Sequence, residues 1–276
     1  MTYREVLSQR IVAISTSESP DMATLGLTAG HLRDAMAEIA RHLLALGARL
    51  AYGGDLRPNG FTELLFELVA RHGRDADLGD ERTSVVNYLA WPIHIRLPRT
   101  ELDEYASSLV GSAGLVLLSL DGSRWTTSKG SLAATVEPTQ AEWAQGLTAM
   151  RRVMRDETWA RVVLGGRVED YDGDMPGIAE ESFLSLQIRQ PLFIMAGFGG
   201  CARDIAETLG LISPWPVSRP RWKGREEFKA FQSTDLSNGL TPEENAILVQ
   251  TPHVDQAVTL ILRGLFRLSG ADSAPR

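Results

Sequence analysis

The chain has one cysteine, Cys201, among its 276 residues, which rules out an intramolecular disulfide and suits a reducing compartment. It also lacks a basic excess: 28 Lys and Arg stand against 35 Asp and Glu, a formal net charge of −7. Nucleic-acid binders draw much of their affinity from neutralising phosphates, so no nucleic-acid partner is expected. Long hydrophobic runs are missing. The stretch GLVLLSL at 114–120 is far short of the ~20 apolar residues that a membrane helix needs, so no membrane partner is expected. The first residues, MTYREVLSQR, hold no apolar core of a secretion signal. Together these gaps predict a soluble, cytoplasmic protein.

Catalytic signatures are missing as well. There is no GxxxxGK[ST] phosphate loop, no strict GxGxxG after the first strand, no GxSxG nucleophile elbow and no HExxH pair among the five histidines. Cys201 has no cysteine partner, so a CxxC zinc site is excluded and no metal site is expected. A lone cysteine after a glycine turn reads as a small buried residue rather than a nucleophile.

What is there is the grammar of a globular α/β protein. Hydrophobic residues make up 43% and charged residues 23%, which fits a chain with a sizeable core. RIVAIS at 10–15 reads as a buried strand. Thr28 then opens a helix whose Leu32, Met36, Ile39, Leu43 and Leu46 form one apolar stripe, and Gly47 closes it. ARLAY at 48–52 is a second strand, followed by a glycine loop and a helix over 61–73. Further strands are expected at 84–91, 113–120, 160–166 and 191–197, with helices at 101–112, 138–156, 176–190, after 200, and at 254–269. The segment 121–136 reads as a loop or insertion, and 213–244 as an irregular surface segment with a short helix. This alternation predicts an α/β, Rossmann-like fold with a mostly parallel sheet and helices on both faces. Residues 1–212 would form the ligand-binding domain, and 213–276 a C-terminal extension packed on it.

In open parallel sheets ligands bind at the carboxyl ends of the strands, where each loop hands over to a helix N-terminus that favours anions. Three glycine loops occupy such places. The first holds Gly53, Gly54, Asp55 and Gly60, with Thr62 and Glu63 opening the next helix. The second runs from Gly165 and Gly166 through Asp174 to Pro176, Gly177, Glu180 and Glu181. The third is Gly197, Gly199 and Gly200, followed by Arg203. Ser15 and Thr16, beside Ser17 after the first strand, add hydroxyls. Each loop also reads as an ordinary tight turn, and acidic residues in a first helical turn suit the dipole without any ligand. Adjacent helix residues point ~100° apart, so of Glu180 and Glu181 only one reaches a common ligand, and Glu181 is favoured.

The motifs AYGGD at 51–55, MPGIAEE at 175–181 and MAGFGGCARDIAETLG at 195–210 resemble the SLOG superfamily, and within it the SLOG sensor domains of bacterial conflict systems such as Thoeris. The resemblance covers most of residues 10–210. It implies a Rossmann-like domain that binds nucleotide derivatives, with ADP-ribose-type signals made from NAD as ligands of the related sensors. It brings no required cofactor beyond that ligand. The superfamily also holds phosphoribohydrolases with the signature PGGxGTxxE. Here Pro176 and Gly177 match, but Ile178, Ala179 and Glu180 follow, and Leu184 stands where the final glutamate belongs.

Three functions are weighed. The first is a sensor of an ADP-ribose-like signal, acting as a homo-oligomer or with a separately encoded effector in bacterial defence. The second is an enzyme acting on an N-glycosidic bond, with Glu181 or Asp174 as nucleophile or base and Asp55 and Glu63 as further candidates. The third is a scaffold with a degenerate pocket.

Overall fold

The computed structural model describes residues 5–8, 10–57, 59–75, 84–109, 113–125, 137–216 and 220–272. The centre is a six-stranded sheet in the order β4-β3-β2-β1-β5-β6, and every neighbouring pair is parallel. The strands are β1 (Ile11–Ser17), β2 (Arg49–Gly53), β3 (Val85–Leu89), β4 (Ala113–Leu117), β5 (Ala160–Gly165) and β6 (Leu192–Met195). The fold is α/β and Rossmann-like, as the alternation of strands and helices predicts.

Period-two alternation divides each strand between two layers. Val12, Ile14, Leu50, Val162, Leu164 and Phe193 face a core shared with α1 (Ala29–Ala45), α2 (Phe61–Asp75) and α9 (Val254–Asp272). On the opposite face Ala13, Ala51 and Val86 pack against α5 (Gln140–Glu157). Val163, Leu192 and Ile194 pack with α6 (Gly177–Gln187) and α7 (Gly200–Thr208). The α1 stripe is buried as its spacing requires. Thr28 and His31 form a reciprocal cap at its start, and Gly47 follows its end at φ +84°.

Two departures from the sequence pattern add helical turns. The apolar run expected to be one strand over 84–91 ends at Leu89, and a single helical turn, α3 (Trp91–His94), follows with Pro92 in its first positions. The short helix α4 (Arg99–Ser108) comes next. Within the segment read as irregular, 3-10 turns form at Arg225–Ala230 and Ser233–Leu236, and α8 (Pro242–Gln250) starts on a Thr241–Glu244 capping box. This stretch covers the β6 edge, where the Asn238 amide donates to the Leu192 carbonyl at 2.9 Å. Most of the loop expected at 121–136, from residue 126 on, lies outside the described residues. No helix among the described residues is long and apolar enough to cross a membrane.

Sheet order reverses at β1. The chain runs outward through β2, β3 and β4, returns along α5, and lays β5 on the other side of β1. That switch leaves a crevice between the loops after β1 and β5, where ligands of open α/β sheets bind.

Candidate functional site

A cavity of about 660 Å³ opens at this crevice. Its floor is the carboxyl end of β1. Thr16 and Ser17, expected in the loop after the strand, are with Ser15 the last residues of the strand itself, and all three line the cavity. Ser15 and Arg161 share a sheet face. The Arg161 guanidinium, fully buried on β5, donates to Ser15 Oγ at 2.7 Å and to Glu181 Oε2 at 2.7 Å. Burial pulls Arg161 below its usual basic range, and the Glu181 charge opposes that shift.

The first glycine loop forms one wall. Thr62 donates to the Asp55 carbonyl at 2.7 Å, and the Asn87 amide donates to the Gly54 carbonyl at 3.3 Å. Both side chains are buried behind the loop and fix its carbonyls, while Gly53, Gly54 and Asp55 line the cavity. The glycines serve the packing behind. A Cβ at Gly53 would lie 2.7 Å from Met154 Sδ, and one at Gly54 would lie 2.1 Å from the Tyr52 ring. Burial, reinforced by Asp55 and Glu181, pushes the Tyr52 phenol well above its ordinary value and keeps it protonated.

The opposite wall is the start of α6. No side chain caps this helix, and Gly177 and Ile178, the first two residues of its first turn, line the cavity. The first N–H groups of a helix lack internal partners and favour an anion. Ala179 N–H is spent differently: it donates to the Cys201 thiol, which burial pushes far above its usual pKa. Cys201 is therefore a buried thiol and no nucleophile.

Arg151, on α5, completes this wall. It is 7% exposed and lines the cavity. Its Nη1 donates to Glu180, which also accepts from Thr148, and its Nε sits 3.8 Å from Glu181 without a hydrogen bond. A Cβ at Gly173 or Gly177 would lie 2.9 Å from one of its two terminal nitrogens, so both glycines make room for the guanidinium. Two arginines and two glutamates are thus buried together. Removing one member of such a set leaves an unpaired charge and costs about 3–5 kcal/mol. Nearer solvent, Arg57 pairs with Asp55 at 2.6 Å with 72% of its side chain exposed, and Arg167 reaches the Asp170 carbonyl at 3.5 Å. The cavity therefore has exposed cations at its mouth and hydroxyls and a buried, arginine-paired carboxylate inside. That set can hold an anionic group and accept from hydroxyls.

The family model described as SLOG cluster2 matches residues 6–248. The chain belongs to the SLOG superfamily. No curated protein matches it.

Within this SLOG domain the expected site residues separate into two groups. Ser15, Thr16, Gly53, Gly54, Asp55, Gly177 and Glu181 lie together on the cavity wall. Gly60, Thr62 and Pro176 stand just behind it as supports. The other group is elsewhere. Asp174 is an exposed residue paired with Lys223 Nζ at 3.0 Å, and Glu63 accepts from the Asn59 amide. The third glycine loop does not reach the cavity. Gly197 packs on the Thr251 carbonyl, and Gly199 and Gly200, both at positive φ, lie against Asp21 and Ser19. The Asp21 carboxylate accepts the Gly200 N–H at 2.7 Å, so the protein supplies its own anion to the start of α7. Arg203 pairs with Glu207 at 3.0 Å and lies 4.4 Å from the Trp215 ring centroid.

Arg151 and Arg161 were not among the expected residues. Each leaves a signal: Arg161 interrupts the apolar strand ARVVLG, and Arg151 follows Leu147 by four on the buried face of α5.

Proposed function

We propose that the cavity binds a nucleotide-derived small molecule of the ADP-ribose type, and that the protein senses this molecule as part of a bacterial conflict response. The observation that carries the reading is the convergence, at the β1–β5 switch point, of the β1 hydroxyls, the first glycine loop and the uncapped start of α6 around one space. Its size falls in the range of about 300–1,000 Å³ common for small-ligand pockets. The rim cations Arg57 and Arg167 suit phosphoryl oxygens, and the carboxylates of Asp55 and Glu181 suit ribose hydroxyls, which need acceptors.

The test is a thermal-shift and calorimetric series with ADP-ribose, NAD and nucleoside monophosphates. ADP-ribose raises the melting temperature, and the double variant Arg57→Ala/Arg167→Ala weakens binding about tenfold or more, as the loss of charge-assisted hydrogen bonds requires. Absence of stabilisation by every nucleotide would remove the proposal and leave the scaffold reading.

N-glycosidic bond cleavage has one observation in its favour: Glu181 is a carboxylate on the cavity wall. Its Oε2 already accepts from Arg161, which leaves Oε1 as the acceptor for a ligand hydroxyl. Free base released from a nucleotide by the wild type but not by Glu181→Gln would establish the enzyme instead.

A further inference from the structure

Part of the cavity lining plays no role in the phosphate and ribose contacts proposed above. Ile93 and Leu97, at and just after α3, and Leu147 on α5 are its aliphatic residues. Trp143, in the first turns of α5, is partly buried and faces the same space. The Arg96 guanidinium lies 5.8 Å from the Trp143 ring centroid, near the outer limit of a cation–π contact, and Glu137 holds it at 3.2 Å. Glu101, in the first turn of α4, is also partly buried on this wall, and its carboxylate has no hydrogen bond or ion pair among the described residues.

We infer that this part of the cavity reads the base of the bound nucleotide, and that its ligand is a purine carrying an exocyclic amine. The inference rests on the reading that the cavity holds a nucleotide. An indole flanked by aliphatic side chains suits a flat apolar partner, and bases stack on tryptophan irrespective of their edges. Arg96 needs only a small outward shift to open a slot between guanidinium and indole, and guanidinium planes stack on bases as aromatic rings do. Edge recognition then falls to Glu101. A carboxylate only accepts, so the edge it meets must carry N–H groups. An amino-purine supplies them, whereas an unsubstituted purine leaves Glu101 facing ring carbon. Trp143 and Glu101 are the specificity-determining residues, one for a flat ring and the other for its amine.

The experiment uses the full chain and four probes: ADP-ribose, AMP, the 5′-monophosphate of unsubstituted purine riboside, and ribose 5-phosphate. Trp143→Leu weakens ADP-ribose binding about tenfold or more while ribose 5-phosphate is unaffected, and Trp143→Phe, which keeps a ring in place, gives a smaller loss. Indole fluorescence changes on ADP-ribose binding in the wild type, and the change shrinks in Trp143→Phe. The wild type prefers AMP to the unsubstituted purine nucleotide, and Glu101→Leu, which removes the acceptor, abolishes that preference. If both Trp143 variants bind ADP-ribose as the wild type does, the base lies elsewhere and the inference is overturned while the nucleotide reading stands. If the wild type shows no preference for the amine, the role of Glu101 is overturned. If no probe binds the wild type, the nucleotide reading fails and this inference with it.

Discussion

Glycines at two helix starts show how one residue type serves opposite ends. At Gly200 a Cβ would lie 2.2 Å from the Gly166 carbonyl oxygen, and φ is +61°. Gly200→Ala should cost about 1–3 kcal/mol of stability, read as a lower melting temperature, with ligand affinity unchanged once folded. At Gly177 the obstacle is the end of the Arg151 side chain, so Gly177→Ala should displace the guanidinium and weaken ADP-ribose binding more than it lowers the melting temperature. From sequence the two glycines look alike, because each follows a strand and opens a helix. What separates them is the partner, an Asp21 carboxylate from the β1–α1 connection in one case and a cavity in the other. His94 gives a second test at this scale. It is buried with its Nε2 2.7 Å from the Leu118 carbonyl, and burial lowers its pKa. The unfolded chain takes up a proton below about pH 6.5 and the folded protein only at lower pH, so stability is fully present above that value and falls as pH drops below it. Melting temperatures measured from pH 7.5 to pH 5.5 should decline in the wild type and decline less in His94→Gln.

Helices and strands were legible where one face is apolar and caps are strong, as in α1, α5 and the central strands. The short elements were harder. α3 is one turn long, too short for any period, and only Ala90-Trp91-Pro92 marks its start. α8 has little amphipathic signal because it packs along a sheet edge, with Leu248 in one core and Val249 in the other. Its Thr-Pro-Glu-Glu start was nonetheless a readable capping box. Glu244 from that box also joins α8 to α9 through Arg267 and Arg263. The Arg267 bond, with help from the Thr241 amide and Arg263, brings Glu244 from 4.5 down to about 2. A carboxylate lowered in this way contributes stability above pH 4.5 that is lost as pH falls towards 2. Glu244→Gln should flatten that part of the acid unfolding curve followed by circular dichroism.

For the molecule as a whole, strand order decides which loops meet. Sequence alone offered three glycine turns after three strands. The sheet brings the turns after β2 and β5 to the β1 crevice, and the turn after β6 joins the packing of α7 and α8 instead. No local pattern encodes that choice, because it depends on which side of β1 the chain lays β5. A net charge of −7 opposes the approach of an anion, so the exposed rim arginines should matter most at low salt. ADP-ribose affinity should fall between 50 mM and 500 mM salt, and less steeply in Arg57→Ala/Arg167→Ala. At a hundredfold excess over Kd the gain of about 2.7 kcal/mol should raise the melting temperature by roughly 5 °C.

Helix α5 carries both Trp143 and Arg151, eight residues apart on one rigid rod. At 1.5 Å per residue the two positions are separated by about 12 Å along the axis. The crossover that returns the chain to β5 therefore acts as a ruler. On the nucleotide reading, a compact molecule would touch one mark or the other, an elongated one would rest on both, and selection by length would precede the reading of any functional group.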